Sequence, residues 1–241
     1  MRSIAFLLIT VTFAVGQDCV WGSFDATRIN YAEGTLDGSA HTVLVGIIQA
    51  NGGTIASSTS TLNETYLGGV DVFYTSLLNT STGTLSPAEQ TALQSWIASG
   101  GVLIVTGDIF PLAAYESFTS FYGVTGYTAI SGSGIGYPVG SHPLTAGVSS
   151  YYFMTECTFS YGSDALLIGN NGSGSDFLIV MEEGTGFTAG GRILVLGDHN
   201  MFTNSYINSE DNAVLAANIA LWTSSTTSLD HDTWGGIKAV F

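Results

Sequence analysis

Two apolar stretches of the chain end in the same way. "VLIVTGD" (102–108) and "ILVLGDHN" (193–200) each run buried-strand residues into Gly-Asp, and the second continues with His199 and Asn200. In an open α/β sheet, ligands bind beyond the carboxyl ends of the strands, so Asp108 and Asp198 stand where chemistry is expected. A third strand-like stretch ends at Asp25, with Arg28, Asn30, Tyr31 and Glu33 close behind it. Asp25, Arg28, Asn30, Glu33, Asp108, Asp198, His199 and Asn200 therefore form the candidate ligand-binding set. Carboxylates and amide oxygens suit calcium, which takes roughly six to eight oxygen ligands; Asp25, Asp108 and Asp198 would supply them. The same groups suit sugar hydroxyls, with Tyr31 or Phe202 as a stacking face. A hydrolase would need two carboxylates at a defined separation. A plainer reading leads: an aspartate after a strand caps the following turn or pairs with an arginine such as Arg28. That alone explains the repeated Gly-Asp. Four scattered histidines without paired spacing do not make a zinc site.

The elements that must position these residues are legible in the hydrophobic pattern. A strand is expected over about Val20 to Phe24. Ser39 is placed to cap a helix through "AHTVLVGIIQANGG", and Gly52 to stop it. "TIAS" and "VDVFYTS" read as short strands. The strongest local signal is "LSPAEQTALQSWIASGG": Ser86 caps, Pro87 takes the first helical position, and Glu89 completes a capping box. Leu93, Trp96 and Ile97 form the apolar stripe, and Gly100-Gly101 end it. A short helix is expected over 111–122, irregular chain over 123–150, and strands with antiparallel character in "YYFMTECTFSY", "ALLIG" and "DFLIVME". "RILVLGD" is a further buried strand, and Ser209 opens a last helix, "EDNAVLAANIALW". Strand–helix alternation with continuous apolar strands predicts an α/β fold with a parallel sheet covered on both faces.

The first residues carry Arg2 and then an apolar run from Ile4 to Val15, with small residues Ala14 and Gly16 around Val15. The run is too short to span a bilayer and reads as a secretory signal cleaved before Gln17. Residues 1–16 are thus expected to be removed and the protein to be secreted and extracellular, without membrane insertion. Four Lys and Arg against nineteen Asp and Glu repel nucleic acid and anionic membranes and welcome cations. Only 10% of residues are charged while 45% are hydrophobic, so glycans are expected to help wet the surface. Sequons begin at Asn63, Asn79 and Asn171. In an oxidising compartment the two cysteines, Cys19 and Cys157, are expected to form a disulfide.

Four segments, "FDATRINYAEG", "LSPAEQTALQSWIASGGVLIVTGD", "SHPLTAGV" and "GRILVLGDHNMFTNSYINSEDNAVLAANIALW", resemble the class I glutamine amidotransferase-like superfamily. They are most similar to its noncatalytic branch, found in gliding-motility and transport-associated proteins and in exported proteins. The resemblance implies a three-layer sandwich with a mainly parallel, flavodoxin-like sheet and some antiparallel additions, over residues 17–222. Catalytic members carry a cysteine on a Gly-x-Cys-x-Gly turn and a His-x-Glu pair. Here the turn after "VLIVT" is Gly107-Asp108-Ile109-Phe110, and His142 is followed by Pro143 and Leu144. The resemblance therefore implies a protein without that catalysis and without a cofactor.

Residues 223–241 change character: a polar linker, "TSSTTSLDHD", and then an apolar terminus with Trp234, Ile237, Val240 and Phe241. Such a terminus either folds back on its own domain or adds a strand to a neighbouring copy, and head-to-tail addition yields filaments. The expected function is a secreted, glycosylated, noncatalytic building block of an extracellular fibre or coat, with self as its partner. A carbohydrate- or calcium-binding module is the second reading, and a carboxylate hydrolase the third.

Overall fold

β4 (Val102–Thr106) and β11 (Arg192–Leu196), the two strands that carry the Gly-Asp turns, are buried at every residue. They lie side by side and parallel, from Arg192 opposite Val102 to Leu196 opposite Thr106. The computed structural model that shows this describes residues 19–30 and 34–224. Beyond β4 the sheet continues with β3 (Val72–Tyr74), β1 (Cys19–Ser23) and β2 (Gly53–Ile55), all parallel.

Beyond β11 the direction alternates. β10 (Asp176–Met181), β9 (Leu166–Asn170), β6 (Gly134–Pro138) and β7 (Tyr151–Phe153) pair antiparallel in that order, completing a nine-stranded sheet. β5 (Thr125–Ile130) and β8 (Glu156–Ser160) form a separate antiparallel pair. Five of the nine strand pairings among the described residues are antiparallel, which overturns the expected mainly parallel, flavodoxin-like sheet. The reason lies in the connections. A parallel neighbour needs a crossover of about a dozen residues or more, usually helical. The links after β9 and β10 carry no helix, so β10 and β11 each turn back on the strand before. β5 and β6 also lie inside the segment expected to be irregular.

Successive strand residues feed two different cores, as the period of two requires. Val72, Tyr74, Val102, Ile104, Leu194 and Leu196 face one side, against α1 (Thr42–Ala50) and α5 (Asn212–Ser224). Phe73, Leu103, Val105, Ile193 and Val195 face the other. There they meet α2 (Glu64–Leu67), α3 (Pro87–Ala98), α4 (Leu112–Thr119) and the β5–β8 pair. Cys19 belongs to the first core and Cys157 to the second. The sheet stands between them, both are free thiols, and the expected disulfide is not formed.

α3 starts as its sequence dictates, with the full capping box of Ser86 and Glu89. α1 does not use Ser39. Its N-cap residue, His41, makes no side-chain cap; the carboxamide of Asn204 accepts from Val43 N at 3.0 Å and donates to Ser39 O at 2.7 Å. Residues 1–16, Tyr31, Glu33 and the tail residues Trp234, Ile237, Val240 and Phe241 lie outside the described residues.

Candidate functional site

Because β4 and β11 are in register, their Gly-Asp turns meet. Gly107 N donates to Leu196 O at 2.7 Å and His199 N to Gly107 O at 2.8 Å. Both glycines are required by what crosses above them. A Cβ on Gly107 would run into the Cys157 sulfur, and one on Gly197 would come within 2.5 Å of Cys157 O. Cys157 N donates to Gly197 O at 2.9 Å, so the start of β8 sits directly on the paired turns. The recurrence of Gly-Asp is thus first a packing requirement.

Past the glycines the side chains converge. The Asp108, Asp198 and His199 ligand atoms lie within 4.8 Å of one another, the one such group among the described residues. His199 Nδ1 is 2.7 Å from Asp108 Oδ2 and 4.0 Å from Asp198 Oδ1. Asp108 also accepts from Ile109 N at 2.6 Å, the Thr155 hydroxyl at 3.3 Å and Asn200 Nδ2 at 3.4 Å. Asp198 accepts from Met154 N at 2.7 Å, Asn200 N at 2.8 Å and Asn200 Nδ2 at 3.0 Å. Asp108 and His199 are each 4% exposed and Asp198 is fully buried. Burial pushes the Asp198 carboxyl up to about 6, while the neighbouring His199 and the Met154 and Asn200 donors pull the other way.

This arrangement is closed. Every carboxylate oxygen already accepts from a protein donor, and His199 Nδ1 is engaged with Asp108. Asp108, Asp198 and His199 stand close enough to share one ion, whereas the expected calcium set also required Asp25. Asp25 takes no part: its Oδ1 accepts from Thr27 N at 2.9 Å and from the Thr27 hydroxyl at 2.6 Å, capping its own turn. Arg28 leaves the edge altogether. It is buried under α3, 2.6 Å from Glu89 Oε1, with its guanidinium 4.3 Å from the Phe24 ring centroid. Asn30 is exposed and held by its backbone, donating to Leu77 O at 2.7 Å. Of the candidate ligand set, the structure brings Asp108, Asp198, His199 and Asn200 together in one knot and leaves Asp25, Arg28 and Asn30 apart from it. Thr155 and the Met154 amide complete it; both come from the β7–β8 link, a contact across more than forty positions that no local pattern announces.

The sequons divide. Asn63 caps α2 through its carbonyl oxygen, and Asn79 accepts from Ser81 N at 2.8 Å. Neither amide nitrogen has a partner among the described residues. Asn171 differs: it is 6% exposed, and its Nδ2 donates to Glu156 Oε1 at 2.7 Å. A glycan attaches through that nitrogen, so Asn171 is corrected from a glycosylation site to a buried structural residue. The thiols are equally withdrawn. Burial, with Asp71 adding to it, pushes Cys19 up to about 11, and burial beside Asp108 and Asp198 pushes Cys157 higher still.

A family model described as "Domain of unknown function (DUF4350)" matches residues 41–220. No curated protein matches the sequence. Among solved structures, the mmIFT52 N-terminal domain is similar, with a TM-score of 0.66 and 14% identity over 86% of this chain and 97% of that one. The cytoplasmic protein STM1381 from Salmonella typhimurium LT2 has a TM-score of 0.62 and 11% identity over 85% and 98%. A protein described as belonging to GMP synthase, from Thermoplasma acidophilum, has a TM-score of 0.50 and 10% identity over 92% and 98%. At such identities the likeness is one of fold. No helix among the described residues is long and apolar enough to cross a membrane.

Proposed function

We propose that this chain, which belongs to the DUF4350 family, is a noncatalytic, exported domain that serves as a building block of an extracellular assembly. The observation that carries the reading is the turn after β4. The catalytic members of the superfamily it resembles hold a cysteine there on a tight turn. Here the tip is Asp108, 4% exposed, with its carboxylate turned inward onto Ile109 N, His199, Thr155 and Asn200. A nucleophile must face its substrate; this side chain faces the protein. The nearest thiol, Cys157, is buried and held protonated by its surroundings. Export rests on residues 1–16, glycosylation on Asn63 and Asn79, and self-association on the apolar residues after the last helix.

The test compares residues 17–241 with a version ending at Ser224, the last residue of α5. Light scattering should give a mass above the monomer for the longer chain and a monomer for the shorter. Neither should release ammonia from glutamine above the buffer rate. Equal monomeric masses sink the assembly reading and put a binding domain in its place; glutamine turnover sinks the noncatalytic one.

A further inference from the structure

We infer that the cavity between β6, the start of β8 and the 171–175 turn is a binding site for a small organic ammonium ligand, with Glu156 as its counter-charge. The cavity is about 390 Å³, the size of a small-molecule site. Its β6 wall lies in the segment expected to be irregular, Glu156 follows the knot residue Thr155 in the chain, and the site does not depend on the assembly reading. Its walls are held close by glycines: a Cβ on Gly172, at φ +75°, would collide with Ile135 O.

The lining has one ionisable acid and no base. Glu156 is 2% exposed and lines the cavity. Its Oε1 accepts from Asn171 Nδ2 at 2.7 Å, and its second oxygen has no hydrogen-bond partner among the described residues. Burial raises the Glu156 carboxyl, Asn171 opposes this, and Asp198 adds to it. A buried carboxylate left without a cation is costly. No described residue supplies one: Arg28 is paired with Glu89 and Arg192 stacks on Trp222. An anion is excluded by the same lining and by the net charge of −15. An ammonium group satisfies the free oxygen, neutralises the charge, and can donate its other protons to the Ser133 and Ser175 hydroxyls in the lining. The rings of Phe153 and of Tyr137, which is 48% exposed at the rim, offer faces that attract a cation.

The test is calorimetric titration of the full chain with 1,4-diaminobutane, with glucose as a neutral hydroxylated probe, at neutral pH and low salt. Diaminobutane should bind and glucose should not. Glu156→Gln keeps an oxygen for Asn171 and removes only the charge; it should weaken diaminobutane roughly tenfold or more. Tyr137→Ala alters an exposed rim and should weaken it several-fold while leaving thermal unfolding unchanged. The inference is overturned if diaminobutane gives no heat, if both variants bind it like the parent, or if glucose binds in its place.

Discussion

Asp198 and His41 hold opposite protonation preferences within one fold. Burial lifts Asp198 from 3.8 to about 6. The fold therefore favours its protonated form, and the stability this contributes is present below about pH 4 and lost as pH rises to about 6. His41 is fully buried, both its ring nitrogens lack hydrogen-bond partners among the described residues, and burial together with His199 drives it from 6.5 down to about 4. Its contribution has the other sign: present above about pH 6.5 and lost as pH falls to about 4. The two windows overlap, so the parent protein should show a shallow stability profile between them. His41→Phe keeps an aromatic ring against Tyr74, whose centroid is 5.8 Å away, and removes the two unpartnered nitrogens. It should leave stability at pH 7 unchanged or raise it by about 1 kcal/mol. Denaturant melts of the variant at pH 4.5, 5.5 and 6.5 should then show stability declining as pH rises. A profile parallel to the parent's would disprove the pairing of the two titrations.

α3 joins a local signal to a distant one through a single carboxylate. Glu89 Oε2 accepts from Ser86 N at 2.9 Å to close the capping box. Its Oε1 accepts from Leu62 N at 3.1 Å and from Arg28 at 2.6 Å. Burial raises the Glu89 carboxyl, but Arg28 and the Ser86 and Leu62 amides outweigh it and hold it below its usual range. Glu89 therefore serves the helix, the 25–30 loop and the chain before α2 together. Ser86→Ala should cost about 1 kcal/mol, the ordinary loss of a helix cap. Glu89→Gln leaves the Arg28 charge buried and unpaired and should cost about 3–5 kcal/mol. Urea denaturation of both variants checks the ratio. Similar losses would mean that the ion pair adds nothing to the cap. The N-terminus of α1 makes the same point in reverse, since Asn204, 161 positions away, stands where Ser39 was expected to serve.

Across the whole molecule, the sheet separates two cores that share no side chains. Cys19 and Cys157 report on one each. A thiol reagent should find neither cysteine in the native protein and label two per chain after denaturation without reductant. No labelling after denaturation would mean a covalent bond through a sheet this structure keeps intact. The start of β8 joins the Asp108–Asp198 knot to the Glu156 cavity, since Thr155 belongs to the first and Glu156 to the second. The knot closes the junction of the parallel strands with β8, and the cavity opens among the antiparallel ones.

What the sequence determined by itself is local. The capping box of α3 needs residues three apart, and the burial of β4 and β11 needs only an unbroken apolar run; both stand as read from "LSPAEQ", "VLIVT" and "RILVL". The meeting of Asp108 with Asp198 also followed from two strands ending alike. The rest depended on partners that no short pattern contains. Strand direction beyond β11 was decided by links without a crossover helix, and β5 and β6 formed in a Gly- and Ser-rich stretch because neighbouring strands offered them ladders. Asp25 met Thr27 before it could meet Asp108. Arg28 found Glu89, and Asn171 spent its amide on Glu156 instead of a glycan. In each case a buried polar group takes whichever complementary group the packed chain brings within reach, because leaving it unpaired is costly, and that choice exists only once the strands and helices have come together.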